Sequence, residues 1–136
     1  MTPTAPILVA TDFSAPSRHA ADRAARLAHE TGAPLSLMHV TPGSTLQELR
    51  QWLGTGHAME RQLLDEARRQ LQALADELVA QCGIGVRTVE AAGPVLEAID
   101  AEARQLGAGL LVLGARGVGF LRRLVLGTTS ERLVRR

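Results

Sequence analysis

The chain begins its first structured element with Ile7-Leu8-Val9-Ala10, an apolar run followed at once by the polar pair Thr11-Asp12. A short apolar run without alternation is typical of a strand in a parallel sheet, because helices cover both faces of such a strand. Leu110-Leu111-Val112-Leu113 has the same character and is the most strongly apolar run of the chain. These runs predict two buried parallel strands, the second in a central position.

Helical spacing of apolar residues follows the first strand. Ser14 or Ser17 can cap this helix at its start, Pro16 fits its first turn, and Gly32 ends it. Residues 35–40 then form a second apolar run, which predicts another strand. The first part of the chain therefore predicts a strand, a helix and a strand.

The same alternation continues to the C-terminus. A short helix and a long one, interrupted at residues 54–56, precede a strand at 84–89 whose period-two pattern indicates a position near a sheet edge. Another helix runs from Gly93-Pro94 to Gly107, and a last helix is expected to start near Thr128. We interpret Trp52 and Met59, which lie at helical spacing, as packing residues.

This order of elements predicts the fold class. Strands that alternate with helices imply right-handed crossovers onto a parallel sheet. We predict a doubly wound, Rossmann-like α/β fold with helices on both faces of the sheet. No linker or repeat divides the 136 residues, so residues 1–136 are expected to form a single domain.

Composition excludes several chemistries. All 15 basic residues are Arg, and without Lys the chain can form neither a Schiff base nor a P-loop lysine contact. The formal net charge of +1 gives no general attraction to nucleic acid. The lone cysteine, Cys82, has no partner for an internal disulfide and no Cys or His at metal-ligand spacing. We expect no nucleic-acid partner and no protein metal site.

The N-terminal residues point to the compartment. Residues 1–6 lack a basic region followed by an apolar run, and no stretch approaches the roughly 18 consecutive apolar residues of a membrane span. We expect a cytoplasmic protein without membrane association.

A glycine-rich segment after the last apolar strand suits phosphate. Gly114 and Gly117 allow main-chain N–H groups to turn toward an anion, and Gly127 comes where the last helix is expected to begin. A helix N-terminus adds free N–H groups and a favourable dipole of about 0.3–1 kcal/mol, so useful affinity also needs a charged neighbour such as Arg116. The sequence thus predicts a phosphate site after the last strand.

The spacing Gly114-x2-Gly117-x9-Gly127-Thr128 resembles the G-x2-G-x9-G-[ST] motif of the ATP-binding branch of the universal stress protein family. The resemblance extends to residues 9–14, to His39-Val40 and to residues 130–132, and so covers nearly the whole chain in order.

The family implies a bound adenine nucleotide, ATP or a close relative, often with a divalent cation such as Mg²⁺ on the phosphate oxygens. Its members contact adenine and ribose with residues matching Ala10, Thr11, Asp12 and Val40. Ribose and phosphates are wrapped by residues matching Leu113, Gly114, Arg116, Gly117, Gly127, Thr128, Thr129 and Ser130.

The resemblance also implies a homodimer, which relatives form with a further strand after the last helix. The sequence reaches Arg136 without another apolar run, so we expect that final strand to be missing.

Three functions remain open. A nucleotide-responsive regulatory protein fits a phosphate segment with no His, Lys or carboxylate placed to activate water, and implies at most slow hydrolysis. A slow ATPase or adenylyl-transferring enzyme is an alternative, although the H-x-G-H and S-G-G-x-D-S patterns of such enzymes are absent. A nucleotide-free scaffold is the third, because some members of the family do not bind ATP. No catalytic residue is assigned, and neither the physiological signal nor the downstream partner is predicted.

Overall fold

Strands and helices alternate in a computed structural model, which describes residues 5–53, 57–114 and 133–135. The strands are β1 (Ile7–Ala10), β2 (Leu35–Pro42), β3 (Val86–Gly93), β4 (Leu110–Leu113) and β5 (Leu133–Arg135). The helices are α1 (Ala15–Thr31), α2 (Gly43–Leu53), α3 (His57–Cys82) and α4 (Val95–Leu106).

The described strands form one parallel sheet in the order β3-β2-β1-β4-β5. From β1 the chain moves outward through β2 to β3, and then crosses back to place β4 on the other side of β1. The strand order therefore reverses between β1 and β4. The predicted edge position of β3 is confirmed, whereas β4, predicted to be central, lies inside the sheet between the central β1 and β5.

The sheet is covered on both faces, as the continuous apolar runs of β1 and β4 predict. Ile7 and Val9 pack with buried residues of α1 and α3, whereas Leu8 and Ala10 pack with Ile99 of α4. Period-two side-chain alternation sends neighbouring residues of each strand to opposite faces, so every position of a central strand must be apolar. The doubly wound α/β fold is confirmed.

Helix ends follow the sequence signals closely. Ser14 is the N-cap of α1, and its side chain accepts a hydrogen bond from the backbone of Ser17, which decides between the two candidate caps. Gly32 ends α1 and Gly107 ends α4, both in the left-handed conformation that glycine adopts without steric cost. These caps fix where each helix meets the sheet.

Two expectations need correction. Where we expected no final strand, Leu133–Arg135 pairs in parallel with β4, placing Leu133 beside Leu111. Two apolar residues suffice here because β4 offers an unpaired backbone edge.

Trp52 and Met59 are 83% and 49% exposed, so their assignment as packing residues is wrong. Trp52 follows the buried Leu46 by six residues, which places it about 120° around the helix and off the side that faces the sheet. The expected last helix near Thr128 lies outside the described residues.

Candidate functional site

The strand register brings the two predicted halves of the site together at one edge of the sheet. Ala10, the last residue of β1, pairs with Leu113, the last residue of β4. The backbone of Thr11 and Asp12 therefore leaves the sheet beside Gly114, which is buried. On the other side of β1, Val40 is buried two residues beyond Met38, the β2 partner of Ala10. Because the strand order reverses here, this edge is where open α/β sheets bind ligands.

A chain of hydroxyl groups fixes the turn between β1 and α1. The buried Thr11 and Ser17 hydroxyls share a hydrogen bond of 2.9 Å, and the Ser17 hydroxyl donates to the carbonyl of Ser14 at 3.0 Å. The Thr11 oxygen also accepts from the backbone N–H of Phe13 at 3.0 Å. Since a hydroxyl has a single proton, these bonds point in one direction, from Phe13 through Thr11 and Ser17 to Ser14. The turn is held by side chains as well as by backbone.

The Asp12 carboxylate is exposed at the start of this turn. Its Oδ1 accepts a hydrogen bond from the backbone N–H of Ser14 at 2.9 Å. Partial burial raises the pKa of Asp12, but hydrogen bonds from Ser14 and Ser17 outweigh this effect and leave the pKa below its ordinary value. Asp12 is therefore ionised at neutral pH and can only accept hydrogen bonds, which suits a ligand that presents hydroxyl or amino donors.

Phe13 adopts a backbone conformation that side chains other than glycine rarely take. Its φ of 65° lies in the left-handed region, which costs roughly 1–2 kcal/mol for a residue with a Cβ. The Arg18 Nε donates a hydrogen bond to the carbonyl oxygen of Phe13 at 3.2 Å. The Phe13 ring packs on the apolar cluster between the sheet and α1. These contacts hold Phe13 in place, and they direct the chain from the β1 edge into α1.

His39 links this turn to the neighbouring strand. The His39 Nδ1 lies 2.9 Å from the carbonyl oxygen of Thr11, and the His39 and Phe13 rings lie with centroids 4.4 Å apart. His39 is half-buried, and these two contacts tie its ring to the turn. Its position on β2 makes the β1–α1 turn depend on a residue distant in the sequence.

The structure thus places six of the predicted site residues around one edge of the sheet. These are Ala10, Thr11, Asp12, Val40, Leu113 and Gly114. The predicted phosphate-side residues Arg116, Gly117, Gly127, Thr128, Thr129 and Ser130 lie outside the described residues, so their roles stay predictions.

Three residues that shape the candidate site have no site role in the sequence-based predictions. Ser17 was considered only as a helix cap, although its hydroxyl also contacts Thr11 and accepts from the backbone N–H of Asp12 at 3.3 Å. Phe13 and His39 were given no role. The signal that could have indicated Ser17 is a hydroxyl residue on the buried, otherwise alanine-rich face of α1.

Outside this edge, the described residues form a groove but no metal-binding group and no membrane-spanning helix. A groove of about 560 Å³ runs between α1 and α3 and is lined by exposed polar residues such as Arg18 and Glu77. Within the described ranges no three His, Cys, Asp or Glu side chains are grouped to hold a metal ion. No described helix is both long enough and apolar enough to cross a membrane.

Comparison with known proteins gives consistent relatives. The model of the universal stress protein family matches residues 4–136. Universal stress protein YxiE of Bacillus subtilis (strain 168) is 31% identical over 134 residues, covering 93% of this chain and 89% of the relative.

Solved structures of similar proteins show the same fold. A universal stress protein from Archaeoglobus fulgidus in complex with dAMP superposes with a TM-score of 0.73 at 20% identity, covering 98% of both chains. A universal stress protein in complex with cAMP has a TM-score of 0.65 at 20% identity and covers 99% of this chain and 98% of that one. The agreement of family model, relative and fold is conclusive: this chain belongs to the universal stress protein family.

Proposed function

We propose that this protein binds an adenine nucleotide, ATP or a close relative, at the carboxyl edge of the sheet between β1 and β4. One observation carries the proposal: the register of Ala10 against Leu113 brings Thr11-Asp12 and Gly114 out of adjacent strands where the strand order reverses. A ligand in this crevice can contact residues from both halves of the fold at once.

The chemistry of the β1–α1 turn supports the sugar end of the ligand. Asp12 is exposed, ionised and limited to accepting hydrogen bonds, and ribose hydroxyls are donors. The two relatives solved with dAMP and cAMP carry adenine nucleotides, which supports the same class of ligand here. Ala10 and Val40, which are 9% and 7% exposed, are the apolar residues next to this turn.

The phosphate end of the proposed site is formed by the glycine-rich segment. Gly114 would begin it, and Arg116, Gly117 and the Gly127–Ser130 stretch would supply main-chain N–H groups, hydroxyls and a cation. A Mg²⁺ ion would bind through the phosphate oxygens, which prefer such hard cations, and would neutralise part of their charge.

The same proposal gives the protein a regulatory role rather than a catalytic one. Asp12 is engaged by Ser14 at the proposed sugar end, and the glycine-rich segment contains no His, Lys or carboxylate before residue 131 to activate water. We therefore propose that the protein changes its surface with nucleotide occupancy. We also propose that it is a single cytoplasmic domain and that it assembles as a homodimer, as the family resemblance implies.

Direct binding measurements test this function. Mass spectrometry of ligand released from freshly purified protein identifies a bound nucleotide, and calorimetry with ATP, ADP and AMP, with and without Mg²⁺, gives the affinities. We expect Asp12→Ala to weaken binding about 10- to 100-fold, because a hydrogen bond to a charged group is lost. Gly114→Val is expected to abolish binding by filling the crevice.

A matched control is Asp65→Ala, which removes an exposed carboxylate from α3 and should leave the affinity unchanged. Absence of binding to all three nucleotides under both conditions would refute the proposal. Turnover above about one per second would instead assign an enzyme, since that rate lies in the ordinary enzyme range.

A further inference from the structure

We infer that His39 is a positioning residue for the nucleotide site, acting through the peptide unit that joins Thr11 to Asp12. This inference rests on the proposed function, because its consequence is measured as nucleotide affinity. His39 lies on β2, and its ring nitrogen Nδ1 is 2.9 Å from the Thr11 carbonyl oxygen. It reaches the site from a strand that the turn itself does not belong to.

The direction of this hydrogen bond is fixed by chemistry. A backbone carbonyl oxygen can only accept, so the proton of the bond is on His39 Nδ1. Neutral His39 is therefore the Nδ1-protonated tautomer, with Nε2 as the acceptor nitrogen. A side chain can replace His39 in this role only if it carries a donor at the same distance from the backbone.

The same peptide unit is held at its other end. The carbonyl of Thr11 and the N–H of Asp12 belong to one planar group. The N–H of Asp12 donates to the buried hydroxyl of Ser17 at 3.3 Å. His39 from β2 and Ser17 from α1 thus grip opposite ends of one rigid plane, which sets the direction in which Asp12 leaves β1.

Packing of the two rings strengthens this arrangement. The Phe13 ring lies against His39 with a centroid separation of 4.4 Å and an interplanar angle of 31°. Phe13 has the left-handed φ of 65°, a conformation that persists only where surrounding contacts impose it. His39 therefore stabilises two successive features of the turn, the Thr11–Asp12 peptide and the residue that follows Asp12.

The functional consequence is a change in the fraction of molecules that present Asp12 correctly. Without the His39 bond, the Thr11–Asp12 peptide can rotate, and the apparent Kd rises in inverse proportion to the fraction still competent to bind. Losing one hydrogen bond of ordinary strength corresponds to a rise of about 3- to 10-fold in the apparent Kd. The fold need not be lost, because the sheet core does not depend on this bond.

Variants of His39 that differ in donor position test the inference. Asn carries its amide nitrogen on Cγ, as histidine carries Nδ1, whereas Gln places it one bond farther out and Leu has no donor. We expect the Kd for ATP to rise about 3- to 10-fold in His39→Leu and His39→Gln, and to stay within about 2-fold of wild type in His39→Asn. His19→Leu, on the exposed side of α1, is the matched control and should bind as wild type does.

A second measurement separates positioning from stability. Imidazole ¹⁵N spectra report the tautomer directly and should show His39 protonated at Nδ1, while melting temperatures record any loss of fold. If His39→Leu does not fold, Phe13→Leu removes the ring contact and should raise the Kd in the same direction.

The outcomes are distinct. If wild-type protein binds ATP and all three His39 variants bind it as tightly as wild type, the inference is wrong while the proposed function stands. Rescue by Asn, whose Nδ2 would take the place of the histidine Nδ1, without rescue by Gln supports the inference. If wild-type protein binds no nucleotide, the proposed function fails and the inference fails with it.

Discussion

Two junctions between a strand and a helix lie at the same edge of this sheet and are built in opposite ways. The first, from β1 to α1, is held by hydroxyl groups: Thr11, Ser14 and Ser17 are joined by hydrogen bonds of 2.9 to 3.4 Å. The second, from β3 to α4, has Pro94 at the N-cap, which has no side-chain acceptor. It turns through Gly93, whose φ is 128°.

The difference separates the proposed nucleotide site from a simple reversal of the chain. Side-chain hydrogen bonds at the β1–α1 junction orient a charged group, Asp12, toward the edge where strand order reverses. At the β3–α4 junction, glycine geometry alone turns the chain near the sheet edge. The hydroxyl network therefore lies at the junction that carries the proposed site, and four predictions test this contrast.

The largest effect is expected from removing the hub of the hydroxyl network. Ser17→Ala deprives the buried Thr11 hydroxyl and the Asp12 N–H of a partner, and should lower the free energy of unfolding by about 2–3 kcal/mol. Urea denaturation followed by circular dichroism measures it. Ser44→Ala, at an exposed position of α2, should stay within about 0.5 kcal/mol of wild type. Equal effects of the two substitutions would remove the basis of the comparison.

The second effect tests the glycine junction. Gly93→Ala forces a side chain into a backbone conformation that suits glycine, and should cost about 1–2 kcal/mol. Gly43→Ala is the matched control, because the added Cβ would meet Gly93 at 3.4 Å, an ordinary contact, without such a φ. Thermal unfolding of both variants measures the difference. A Gly93→Ala protein as stable as wild type would contradict this account of the turn.

The third prediction exchanges the capping chemistry of the two junctions. Ser14→Ala removes the N-cap of α1 and should cost about 1 kcal/mol. Pro94→Asp gives α4 a cap acceptor, but it also frees the unfolded chain, so we expect a net gain of at most about 0.5 kcal/mol. Both values come from denaturant midpoints at constant slope. A larger change at Pro94 than at Ser14 would reverse the comparison.

The smallest effect concerns pH. Because hydrogen bonds outweigh burial and depress the pKa of folded Asp12, its carboxylate adds stability that is complete above the unfolded-state pKa of about 3.9. That stability is lost as the pH falls through the lower pKa of the folded state. Asp12 is exposed, so the contribution should be a few tenths of a kcal/mol.

The measurement for Asp12 compares wild type with Asp12→Asn in urea titrations between pH 7 and pH 3. The difference in stability between the two proteins should shrink toward acid pH. A difference that stays constant over this range would show that ionisation of Asp12 does not stabilise the folded protein.

Much of this fold could be predicted from local patterns. The apolar runs at 7–10 and 110–113 coincide with β1 and β4, and Gly32 and Gly107 end their helices as expected. These signals are reliable because burial on both faces of a strand and the left-handed C-cap each demand particular residue types. The exposed Trp52 was not predictable in this way, because helical spacing does not reveal which side of α2 faces the sheet.

For the site, the sequence by itself determined which chemical groups follow β1 and β4, namely Thr11, Asp12 and Gly114, and which family the chain resembles. Only the tertiary structure decided that these groups meet, through the register of Ala10 against Leu113. It also decided that His39 of β2 holds the Thr11 carbonyl. The physical reason is that strand order and register arise from packing the whole sheet between its helices, whereas residue type and spacing act only along the chain.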